Sequence, residues 1–172
     1  LEPSMHGIRH LPATLPRDTV AGWVGKLTKR PNKPLYGIDS ARIADATLAE
    51  VIANAAADAI PGTITPRYGM AVRRTALRGY PSDLRVFSRP GDTDIDRFQE
   101  SALFPGDPLV VVHSSRDGRW VFVVSERYAA WAHAEDIATG TAAQVFAHAD
   151  ASPYRVVTGA TPRTVFTPEV PA

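Results

Sequence analysis

Residues 109–124 constrain the fold more than any other stretch of this chain. Leu109-Val110-Val111-Val112 and Trp120-Val121-Phe122-Val123-Val124 are wholly apolar runs of β-branched and aromatic residues, side chains that suit a pleated, half-buried surface. Ser114-Ser115-Arg116-Asp117-Gly118 lies between them, and an Asp-Gly pair accepts turn geometry and positive φ, so the runs are expected to pair as a short antiparallel hairpin. A third strand is expected at Tyr128-Ala129-Ala130-Trp131-Ala132, leading into a helical turn from His133 to Ile137. Side chains alternate across a strand, which puts Trp120 and Phe122 on one face and Val121 and Val123 on the other. Neither main strand alternates apolar with polar, so both faces must be covered. A small barrel encloses only one of them. The valines fit its narrow interior and leave the aromatics outside, where Trp23 and the apolar stripe from Ile43 to Ile52 are the candidates to cover them.

The first 37 residues hold Pro3, Pro12, Pro16, Pro31 and Pro34, a spacing that prevents long helices and predicts an extended, wrapping segment. Within it residues 18–29 can form a short helix, capped by Asp18 or Thr19, with Val20, Trp23, Val24 and Leu27 at helical spacing. One helix is expected from Asp39 to Ile60, started by Asp39 or Ser40 and stopped by Pro61-Gly62. A strand at Met70 to Thr75 follows. Residues 76–108 then form a long Gly- and Pro-punctuated excursion, and loops of that length are uncommon unless functional. Leu84, Val86, Phe87, Phe98 and Leu103 give this one apolar anchors, so it is expected to be packed rather than free. Tyr154 to Thr158 and Thr164 to Thr167 predict a second, shorter hairpin.

At 172 residues, with 44% hydrophobic and 22% charged residues, the chain is globular and holds one ordinary domain or two small ones. A net charge of +1 supplies no long-range attraction to nucleic acid. No run approaches the roughly 20 apolar residues of a bilayer span. The absence of cysteine removes disulfides, thiol nucleophiles and thiolate metal sites. The opening at Leu1, without a leader pattern, reads as a processed or truncated product.

Few residues invite chemistry. His6 and His10 are four apart, but Pro3, Gly7 and Pro12 oppose the helix that would bring both onto one metal-binding face. His133, Glu135 and Asp136 read as a solvated turn. No phosphate loop, dinucleotide glycine pattern or zinc-protease helix is present, so neither a cofactor nor a metal is expected. His113 beside Ser114 and Ser115 permits a serine-hydrolase reading, without the Gly-x-Ser-x-Gly elbow that would support it. Arg67, Arg73, Arg74, Arg78, Arg85 and Arg89 could bind carboxylates or phosphates through their planar forks. Asp83, Asp92, Asp94 and Asp96 lie nearby in sequence, and internal ion pairing is the expectation.

Arg74-Thr75, Leu77-Arg78, Tyr80-Pro81, Asp96-Arg97-Phe98-Gln99, Phe104 to Pro108, His113 to Trp120 and Tyr128 to Trp131 together resemble the first SH3-like domain of multi-module NlpC-type bacterial cell-wall peptidases. That resemblance implies a mainly β fold with an N-terminal helical segment, a small SH3-like β-barrel packed with one long helix. It makes residues 1–66 an extended and helical clip, 70–138 the barrel, and 141–172 the start of a second SH3-like module or a C-terminal extension. Ala130 stands where the family usually has Gly before the tryptophan, a minor change if that position needs no positive φ. The family's catalytic Cys and two His lie in a papain-like domain that has no counterpart here, so the resemblance implies a chain that is inactive alone.

The function so implied is a non-catalytic targeting and gating region of a peptidoglycan endopeptidase. Its partners would be a stem peptide and the parent's catalytic domain, and its place extracytoplasmic, in the periplasm or cell envelope. Arg78, Tyr80, Ser82 and Asp83 are the expected substrate-binding or gating residues, since a stem peptide offers carboxylates and amides to pair with them. An independent module binding a peptide or wall polymer is the alternative, with Tyr80, Trp120 and Trp131 as aromatic contacts.

Overall fold

The computed structural model describes residues 7–147 and 149–153; the second hairpin expected between 154 and 167, and His6, lie outside them. The apolar runs form the centre of one sheet. Pro108–Ser114 (β6) and Trp120–Ser125 (β7) pair antiparallel, and Gly118 takes φ +70° in the turn between them. Ala129–His133 (β8) pairs with β7 as expected, and Ala134–Asp136 makes the helical turn. The strand expected at 70–75 is two strands, Arg67–Ala71 (β3) and Thr75–Arg78 (β4). Between them the Val72 N–H donates to the Asp136 carbonyl oxygen at 2.9 Å and Arg73 pairs with the Asp136 carboxylate at 3.0 Å, which turns the chain out of the ladder. Gln99–Leu103 (β5) and Ile137–Thr139 (β9) complete seven strands in the order β5-β4-β8-β7-β6-β3-β9. Thr63–Ile64 (β2) pairs separately with Leu15–Pro16 (β1).

One face of the sheet closes on itself. Ala71, Leu77, Leu103, Leu109, Val111, Val121, Val123, Ala130 and Ala132 form a single buried cluster, which joins residues from strands near both ends of the order and so makes the sheet an SH3-like barrel. The valines fill its interior, as their size predicts. Ala130 lies in extended strand opposite Val123 and has no positive φ, so alanine replaces glycine there without strain.

The other face of β6, β7 and β8 carries Val110, Val112, Trp120, Phe122, Val124 and Trp131. Its cover differs from the expectation in one respect. The helix Arg17–Leu27 (α1) places Val20 and Val24, both 0% exposed, on this face, with Trp23 beside them. Ile8, Leu15, Ala55, Ile60 and Ile64 add to it. Trp23 covers the aromatics, and the Ile43 to Ile52 stripe does not. Ile43, Leu48, Val51 and Ile52 instead pack with Leu35, Tyr80, Val86 and Phe98, beneath the long excursion. That excursion is packed through the anchors read from the sequence: Val86, Phe87, Phe98 and Leu103 are buried and Leu84 is half-buried.

The helix expected over 39–60 is Asp45–Asn54 (α2), with a separate 3-10 turn at Ala57–Ala59. Neither Asp39 nor Ser40 caps it. Both sit in a turn in which Tyr36 bridges Arg42 and Phe87 and Ser40 takes φ 65°. At the far end Ala56 adopts φ 47°, which breaks the helical path. A last helix, Ala142–Ala147 (α3), is fastened by Arg9, whose two terminal nitrogens donate to Asp150 at 2.9 and 2.8 Å while its guanidinium lies over the Phe146 ring.

If α1 is the cover, Val20→Ala and Val24→Ala should each destabilise the fold by about 1–3 kcal/mol, the range for emptying part of a closed core site. Denaturant unfolding followed by tryptophan emission checks this; a loss no greater than that for exposed Ala49→Gly would sink the assignment.

Candidate functional site

The excursion, α2 and the β6–β7 turn meet around an open cleft of about 650 Å³. Asn54, at the last turn of α2, ties the three together. Its Nδ2 donates to the Pro81 carbonyl oxygen at 2.9 Å and to Asp117 Oδ2 at 3.2 Å. Its Oδ1 accepts from the Asp117 N–H at 3.2 Å, and its carbonyl oxygen from the Arg116 N–H at 2.9 Å. A helix end leaves carbonyls without intrahelical partners, and His113 takes the next two, with Nε2 at 3.0 Å from Ala55 O and 3.2 Å from Ala56 O. Both partners are acceptors, so Nε2 carries the proton. A bulge makes this reach possible. Val111 pairs Val123 but His113 pairs Phe122, so the extra residue, Val112, turns His113 to the outer face of the strand where regular register would aim it into the barrel.

The turn is tightened from within. Ser115 Oγ donates to Asp117 Oδ1 at 2.6 Å and accepts from the Trp120 N–H at 3.0 Å. Burial alone would raise the Asp117 carboxyl, but hydrogen bonds from Ser115, the Arg119 N–H and Asn54, with the Arg119 charge, outweigh it and hold the group below the usual carboxylate range. These bonds commit His113 and Ser115 to structure, and Ser114 shares no described bond with His113, so the hydrolase reading has no geometry behind it.

The four loop residues singled out in the sequence divide into two pairs. Arg78 is 6% exposed. It donates to Ser82 O at 2.6 Å, Leu84 O at 2.6 Å and Asp96 Oδ2 at 2.9 Å, so its fork is spent on holding the loop. Tyr80 is buried and its hydroxyl donates to the Lys29 carbonyl oxygen; burial, then the Glu100 charge, raises its pKa. Ser82 and Asp83 line the cleft. The Asp83 side chain is 59% exposed, yet oriented by His133 Nε2 at 2.9 Å and Arg119 at 3.4 Å, with the His133 ring 3.8 Å from the Trp120 ring. Trp120 and Trp131 are 1% and 0% exposed; their rings offer no free face for a ligand, and of the two only Trp120 lines the cleft.

Sequence reasoning missed Asn54, Asp117, Arg119 and His133. Asp117 had a signal in its Asp-Gly turn, but the other three lie 27, 36 and 50 residues from their loop partners Pro81 and Asp83 and carry none. Of the six arginines, Arg78 pairs with one of the nearby carboxylates, Asp96, though buried rather than on a solvated face, and Arg73 pairs instead with Asp136, while Arg74 and Arg85 lie over Phe104 and Phe87.

At the opposite end of β7 a second cleft of about 420 Å³ is lined by Leu77, Leu103 and Tyr128 among others. The Tyr128 hydroxyl donates to Glu100 Oε2. That bond, then burial and the Glu100 charge, pushes the Tyr128 pKa up to about 12.

A small barrel with a helical wrap and a long ordered loop over one end is the class this geometry defines. Residues 85–133 match the SH3 domain family of the SH3b1 type. Among solved structures, an NlpC/P60 endopeptidase from Photobacterium damselae subsp. piscicida shares the fold, with a TM-score of 0.56 and 20% identity over 72% of this chain. The match spans 27% of that enzyme's chain. No curated protein matches the sequence. No helix among the described residues is long and apolar enough to cross a membrane.

Asn54→Ala should cost about 1–3 kcal/mol, because it strands partners on two elements, Pro81 on the excursion and Asp117 in the β6–β7 turn, and amide exchange should accelerate at residues 82–84 and 116–118 while β7 stays protected. Uniform acceleration would show that Asn54 does not localise the cleft. A raised tyrosine pKa contributes stability that is complete below the unfolded value of about 10 and lost as pH rises through the folded one. The ultraviolet difference between wild type and Tyr128→Phe should therefore titrate near 12, and in a Glu100→Gln background fall toward 10. An unchanged midpoint in that background would refute the Glu100 contact.

Proposed function

We propose that this chain is a wall-binding accessory region of a bacterial cell-wall peptidase, acting outside the cytoplasm beside a catalytic domain, and that the cleft around Asp83 receives the stem peptide. In this reading residues 1–66 are the clip, 70–138 the barrel and 141–172 the start of a second SH3-like module or a C-terminal extension. Asp83 carries the proposal. It is a solvent-facing carboxylate held in one orientation by two cation-capable partners on two other elements, and a rigidly placed group loses little freedom on binding. It would accept from the amide or ammonium hydrogens of a stem peptide, and Arg116 and Arg119 would meet its carboxylates through bidentate contacts. Arg78 and Tyr80 act as positioning residues, fixing the loop that presents Ser82 and Asp83. The SH3b1 match and the peptidase sharing the fold support the wall as the setting. The aromatic-contact alternative has less support, since Tyr80, Trp120 and Trp131 are all buried.

Calorimetric titration of the chain with a soluble stem tetrapeptide tests this. Asp83→Asn and Arg119→Gln should each weaken binding about tenfold, the usual loss of one charge-assisted contact. Wild-type affinity in Asp83→Asn would exclude the cleft. Having no cysteine to supply a thiolate, the chain alone should release no stem-peptide fragments; release that persists in a Ser114→Ala, Ser115→Ala variant would overturn the accessory reading.

A further inference from the structure

A cluster of positive charge lies away from the Asp83 cleft, where the N-terminal segment crosses the excursion. Residues 26–33 include Lys26, Lys29, Arg30 and Lys33, and among the described residues only Arg30 of these is ion-paired, with Asp45 at 2.8 Å. Pro31 and Pro34 flank Asn32 and Lys33 and restrict their backbone. The Tyr80 hydroxyl, donating to Lys29 O, fastens the segment to the loop. Facing it is Arg97. Its N–H donates to Val86 O at 2.8 Å and its Nε to Ser88 Oγ at 2.6 Å, which aims the guanidinium while its terminal nitrogens hold no hydrogen bond among the described residues.

Asn32, Lys33, Ser88 and Arg97 rim a cleft of about 400 Å³ over a floor of buried Leu35, Tyr80 and Phe98. Its lining contains no carboxylate. Asp96 is committed to Arg78, and Asp94 lines a separate cleft with Arg85. Two cations facing one concavity without a counter-charge favour an anion between them. The free fork of Arg97 fits two oxygens of a phosphate, and a lysine adds a point charge. Asn32 and Ser88 beside them supply neutral donors and acceptors of the kind that pair with hydroxyl groups.

We propose that this cleft binds a sugar phosphate, its phosphate between Arg97 and Lys33 and its hydroxyls on Asn32 and Ser88. The site is separate from the Asp83 cleft and does not depend on the function proposed for it.

Nitrogen–proton NMR of the full chain, titrated with glucose 1-phosphate, inorganic phosphate and glucose, tests the assignment. Glucose 1-phosphate should shift the Arg97 Nε–H, the Asn32 side-chain amide and the Lys33 and Ser88 backbone amides. Inorganic phosphate should bind more weakly and shift only the Arg97 and Lys33 signals; glucose should shift none. Arg97→Gln and Lys33→Gln, both at exposed positions, should each weaken binding about tenfold without moving the thermal midpoint, and Asp83→Asn should leave it unchanged. Equal affinity for inorganic phosphate would overturn the sugar part of the assignment. Absence of shifts at these four residues, or wild-type affinity in Arg97→Gln, would overturn the site.

Discussion

The ion pair between Arg78 and Asp96 is the interaction on which the functional end of the molecule depends. The two side chains are 7% and 10% exposed, and between them they satisfy both limbs of the long loop. Arg78 binds the carbonyls of Ser82 and Leu84 on the outgoing limb. Asp96 accepts from the Val86 N–H on that same limb and from the Phe98 N–H on the returning one. A buried pair of this kind adds little over a well-packed apolar substitute, yet losing one partner leaves an unpaired buried charge at about 3–5 kcal/mol. Its value here is specificity of shape. The loop has one set of backbone positions in which every member of the network is bonded, and those positions put Asp83 over the cleft and Phe98 under α2.

The barrel has a second dependence, on what lies outside it. β7 is buried along its whole length, so its valines belong to the barrel interior and its aromatics to a core shared with α1 and the N-terminal segment. Neither core is complete without the strand. The wrap therefore shares the barrel's stability and is not a removable tether, and a disturbance in α1 reaches Trp120, hence His133 and the orientation of Asp83.

The hairpin, the third strand and the division of β7 into an inner valine face and an outer aromatic face were legible because side-chain alternation is local and size selects the interior. Trp23 as a cover was legible from helical spacing. The length of α2 was not. Its Ala, Leu and Glu run favours helix well beyond Asn54, and what ends it is tertiary: Arg116 and His113 take its last carbonyls, and the Tyr36 bridge to Phe87 claims the stretch before it. The face of His113 also escaped, because a single inserted residue reverses alternation and nothing in Val111-Val112-His113 marks the bulge. Asp83 was recognisable as a polar residue on a long loop. That Arg78, five residues earlier, is a strut and not a ligand contact follows only from burial, which composition does not reveal.

The clasp from Arg9 to Asp150 joins residues 141 apart in the chain. Contacts of such separation form late, after the entropy of closing the intervening loop has been overcome. During synthesis the wrap leaves the ribosome before the strands it covers, by an interval on the order of ten seconds at about 5–20 residues per second. The six apolar side chains on the outer face of β6, β7 and β8 thus emerge into the presence of their own cover. In a protein with the same parts in the reverse order, that face would stand open to neighbouring chains until the wrap followed. The order of these parts along the chain thus gives the outer face its cover as the strands emerge.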